Sequence, residues 1–155
     1  MYVVMVLLLL AILPAGSVIA EHSYFHSAAP LVFLIGKWFT FWAAGVRLFI
    51  AGLRQVLQPA FTAEEIFGLK GSGAFPIVRE LGFANLCMGL LSICSIFHAS
   101  WVVPGALVGG LYYGLAGAGH IAQGHRNAKE NMALYSDLGI FLLLGWFVVK
   151  SLMSV

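Results

Sequence analysis

Five polar residues stand where an otherwise apolar chain has least use for them: Arg47, Glu80, Asn85, His120 and Asp137. They lie in, or at the mouths of, four different apolar runs. Such a group is costly in an apolar run unless it meets a partner or a polar cavity. Arg47 offers fixed positive charge, and Glu80 and Asp137 offer the counter-charge. Asn85 brings an amide that donates and accepts, and His120 a titratable imidazole. Arg79, Gln123 and Tyr135 stand at similar depth. Three chemistries fit this set. The first is an ion-pair lock between helices, in which Arg47 is neutralised by Glu80 or Asp137 and His120 bridges them. The second is a ligand or proton site built from the same groups. The third is snorkelling of long side chains to the surface, which suits Arg79 best.

Composition says what kind of scaffold must hold these residues. The chain has 155 residues, 61% of them hydrophobic and 9% charged, with mean hydropathy +0.97. Soluble domains carry about 25% charged residues, so this one must turn much of its surface to lipid or to neighbouring membrane helices. A net charge of +2, scattered along the chain, leaves no footprint for nucleic acid. The expectation is a single all-α domain over residues 1–155, a transmembrane helical bundle of five spans, or four if the first segment does not cross.

The first apolar run, 1–20, lacks the Lys or Arg that would open a signal peptide; it reads as a span kinked or ended near Pro14. A polar link follows at 21–29. The second helix starts at Pro30 and stops at Pro59, carrying Lys37, Arg47 and Arg54. Thr62 and Glu65 have the spacing of a capping box, which predicts a short surface helix. The third span covers about 75–98, the fourth opens around Pro104 and closes near 124, and the fifth covers about 132–152. Residues 125–131 form a polar turn between the last two.

With five spans the termini lie on opposite sides. Arg54, Lys70, Arg79, Arg126 and Lys129 share the side of the N-terminus, against Lys37 and Lys150 on the other. The excess of basic residues puts the N-terminus in the cytoplasm. Trp38, Trp42, Trp101 and Trp146 then make an outer aromatic belt.

On the third span Gly82, Asn85, Gly89 and Ser92 form a small, weakly polar stripe. The fourth answers with Gly105, Gly109, Gly110, Gly114 and Gly117. Small residues let membrane helices approach closely, so these two spans are expected to pack on each other.

Other chemistry is thinly represented. His22 and His26 have the i, i+4 spacing of paired ligands but lie in a link, and His120 and His125 do not have it; the expectation is no metal centre. Cys87 and Cys94 are about 10 Å apart along one helix, too far to pair. No nucleophile elbow, phosphate loop or dinucleotide fingerprint is present, so no residue is assigned a catalytic role. The sequence names no cofactor.

The string 79–86 (RELGFANL), with 61–67 (FTAEEIF) before it and 119–121 (GHI) after, resembles an uncharacterised bacterial family of small integral membrane proteins, itself loosely similar to DoxX-like proteins. The resemblance covers roughly 45–144 and implies a multi-pass protein of the bacterial inner membrane with no assigned reaction. DoxX-like proteins have four spans, and some are linked to quinone-coupled sulfur oxidation. The functional expectation is a ligand-binding or accessory subunit in the bilayer, working through Arg47, Glu80, Asn85, His120 and Asp137. Its partners would be lipid, other membrane subunits or further copies of itself, and a lipid-like or quinone-like small molecule. A membrane enzyme or quinone-linked redox subunit using the same cavity is the alternative, and a small proton-coupled transporter the second.

Overall fold

A computed structural model describes residues 2–122 and 128–153. Among them are five helices long and apolar enough to cross a membrane, and no strand. We label them with the short helix between the second and third: α1 (Val3–Tyr24), α2 (Leu31–Leu57), α3 (Phe61–Ile66), α4 (Ser72–Cys94), α5 (Ala99–Ala122) and α6 (Asn131–Met153). In lipid every backbone N–H and C=O must be satisfied within the segment, and an unbroken helix does this. The chain is a multi-pass, all-α membrane protein. The sequence readings at Gln123, His125 and Arg126 lie outside the described residues.

The first segment is a helix long and apolar enough to cross, and Pro14 does not end it. Leu8–Ile12 opens into a wider π turn just before the proline, which makes room for the ring and absorbs the missing N–H. The helix also runs past the expected link, to Tyr24, and Phe25 and Ser27 close it onto the Ala20 and Glu21 carbonyls. Glu21 is therefore a helical residue. His26 follows in the left-handed region at φ 49°, so His22 and His26 do not share a helix face. Among the described residues no cluster of three or more His, Cys, Asp or Glu could hold a metal.

The small-residue stripes choose other partners than the sequence spacing implied. A Cβ added at Gly89 would lie 2.6 Å from the Phe49 backbone nitrogen of α2, and one at Gly52 would lie 2.7 Å from the Gly82 carbonyl oxygen. Thus α4 packs backbone to backbone on α2. The glycines of α5 mostly face α6 and α2: Gly114 meets Phe141, Gly117 meets Leu138, and Gly109 meets Ala44. Only Gly105 meets α4, at Ser92. Spacing identifies the approachable face of a helix but not the neighbour that uses it.

The core between α1, α2, α5 and α6 holds Val6, Leu10, Ala44, Leu48, Ala106, Tyr113, Leu144 and Phe147. Gly36 accepts the Phe147 ring in the space its missing Cβ leaves. Cys87 is exposed and Cys94 half-buried, and both are free thiols.

Candidate functional site

The site is organised by α2. In its middle, Thr40–Val46 winds as a π helix. The Arg47 N–H bonds back to the Trp42 carbonyl, five residues earlier, and the Ala43 carbonyl accepts the Tyr113 hydroxyl at 2.6 Å. Insertions of this kind change the face on which later side chains emerge. Here the helix continues with Arg47, Leu48, Ala51, Arg54 and Gln55 all lining one cavity.

That cavity has a volume of about 440 Å³, within the roughly 300–1,000 Å³ of small-molecule clefts. Every span reaches it: Met5 from α1, Leu81 and Asn85 from α4, Tyr112, Ala116 and His120 from α5, and Asp137 from α6. The short helix contributes Phe61, Thr62 and Ile66. It exists as expected, but Thr62 does not cap it: Ala60 is the N-cap residue, and Thr62 is buried against the cavity. Its end is set by Gly68, at φ 66°, where a left-handed residue lets the Leu69 N–H reach the Ala63 carbonyl.

Four of the five residues singled out from the sequence converge here. Arg47 Nη1 donates to Asp137 Oδ1 at 3.2 Å, and the guanidinium carbon lies 5.1 Å from the centre of the Tyr113 ring. The Ser136 hydroxyl is 3.4 Å from the same Oδ1. Asn85 Nδ2 donates to Gln55 Oε1 at 2.7 Å. Asn85 Oδ1 is buried with no hydrogen-bond partner. His120 is buried on the same lining, within electrostatic reach of Asp137.

Glu80 is not part of the site. It is exposed on α4 and does not line the cavity. It precedes Asn85 by five residues, about 140° around the helix, while Val78, Gly82, Asn85, Gly89 and Ser92 take the inward face. Arg47 therefore pairs with Asp137 and not with Glu80. Arg79 and Tyr135, at the same depth, are also exposed.

The sequence reading gave no site role to Gln55, Tyr112, Tyr113, Arg54 or the residues of α3. Gln55 carried a signal: an amide eight residues beyond Arg47 lies about 80° round the helix from it, within one broad inward stripe. The tyrosines in an apolar run carried none that separates them from core aromatics.

The chain matches, over residues 1–152, a family described as a "Family of unknown function (DUF6790)". No curated protein matches it. No solved structure matches it. With the family match spanning nearly the whole sequence, the chain belongs to this family of unknown function.

Proposed function

We propose that this protein binds a small amphiphilic molecule, lipid-like or quinone-like, in the cavity beside α2, alone or as an accessory subunit of a larger membrane assembly. The observation that carries the reading is the convergence of Arg47, Asn85, His120 and Asp137, from four helices, on one cavity with apolar walls. One acceptor there, Asn85 Oδ1, is buried with no hydrogen-bond partner among the described residues. A buried acceptor left unmatched costs about 1–3 kcal/mol, and a ligand donor would recover it. A pure ion-pair lock requires no space around it and no spare acceptors.

In this reading the chain lies in a bacterial plasma membrane with its N-terminus in the cytoplasm, so that the cavity occupies the cytoplasmic half. The bias of basic residues supports that orientation, and reporter fusions to each terminus test it. The likeness to DoxX-like proteins supports a place beside quinone-linked machinery, with no reaction carried over.

The test is extraction in mild detergent and mass spectrometry of the small molecules retained. Ala116 lines the cavity, and Ala116→Trp fills it. The expected result is a molecule retained by the wild type and lost from the variant, with helical content unchanged. An equal lipid load on both proteins would end the reading.

A further inference from the structure

Resting on this cavity reading, we propose that the occupant carries an anionic head, a carboxylate or a phosphate, on an apolar body, and that Arg54 holds the head. Among the described residues, the charged ones lining the cavity are Arg47, Arg54 and Asp137. Arg47 pairs with Asp137, so among these described residues Arg54 adds one further positive charge. Arg54 follows Arg47 by seven residues, about 10 Å along the same face of α2. It forms no ion pair among the described residues. Glu64 and Glu65 on the adjoining short helix are exposed and stand outside the lining.

The way Arg54 is held fits this role. Its guanidinium carbon lies 3.3 Å from the centre of the Phe61 ring, so the ring occupies one flat face and fixes the plane. The N–H donors point outward in that plane, the geometry in which guanidinium takes a carboxylate or phosphate by two parallel bonds. Arg54 is half-buried in the last turn of α2, where an amphiphile's head meets water while its body lies against Leu48, Ala51, Ile66 and Leu81. A neutral quinone-like head would leave the partly desolvated cation unmatched.

The test uses the full chain in phosphatidylcholine nanodiscs, titrated with radiolabelled dodecanoate, dodecyl phosphate and dodecanol, counting binding above empty discs. The wild type is expected to bind an acidic probe saturably, with at least about a tenfold preference over dodecanol, the scale of a charge-assisted hydrogen bond. Arg54→Gln should abolish the preference and Arg54→Lys should keep part of it. Should Arg54→Gln fail to fold, Phe61→Leu, which removes the stack and keeps the charge, should lower the preference instead. Binding of dodecanoate alone supports a free fatty acid as the source, and of dodecyl phosphate alone a phospholipid head. Equal saturable binding of all three would overturn the anionic head, and an acid preference that survives Arg54→Gln would overturn the role of Arg54, each leaving the cavity reading intact. No saturable binding of any probe would overturn both.

Discussion

Toward one end of α2, Lys37 meets Glu21 of α1; toward the other, Arg47 meets Asp137 of α6. The two pairs join the same helix to different neighbours with the same charge types, but their surroundings differ. Lys37 Nζ sits 2.9 and 2.8 Å from the two Glu21 oxygens, and Trp38 Nε1 donates to Oε2 at 2.6 Å. Four residues earlier on α1, Ser17 accepts from Trp42 at 3.0 Å. This is a closed clamp with both carboxylate oxygens occupied, its side chains 20% and 21% exposed. Arg47 and Asp137 are more buried, at 12% and 8%, yet share a single 3.2 Å contact. They border about 440 Å³ of space. Burial alone does not make a site. What separates the pairs is that one is closed on itself and the other borders room for a molecule.

Removing one partner from each pair should show the difference between them most strongly. Asp137→Ala leaves Arg47 buried without its counter-ion and should cost about 3–5 kcal/mol in unfolding experiments in mixed micelles. Replacing both partners, as Arg47→Met with Asp137→Leu, should recover most of that loss, since a buried pair is often no better than an apolar one. Glu21→Gln should cost only about 1 kcal/mol by the same assay, because water still reaches the clamp. The smallest effect is expected at Glu80. Glu80→Gln should stay within about 0.5 kcal/mol of wild type and leave any bound molecule in place, as an exposed residue away from the cavity should. A large loss there would mean that Glu80 belongs with Arg47 after all.

Much of the fold could be read from the chain because lipid permits so few structures. Five apolar runs had to become helices, and residues such as Arg47 and Asp137 had to turn inward. Glu80 stands apart from the cavity because depth along a helix says nothing of angle around it, and angle separates Glu80 from Asn85. The partner of each glycine stripe was illegible for a related reason. A groove on α4 is equally open to α2 and α5 until the connections and the large side chains, such as Phe49 and Phe141, decide. The π turn at Thr40–Val46 leaves no mark in residue type, yet it helps aim Arg47 and offers the Ala43 carbonyl to Tyr113. Phe61 and Arg54, from adjoining elements, could be joined only once α3 had folded back on α2.

The central claim is that the Arg47–Asp137 pair serves a bound molecule and is not merely a staple between α2 and α6. Native mass spectrometry of the Arg47→Met, Asp137→Leu protein released from nanodiscs tests this most directly. The expected result is a folded protein that has lost the small molecule carried by the wild type. A double variant that keeps that molecule at full occupancy would contradict the account.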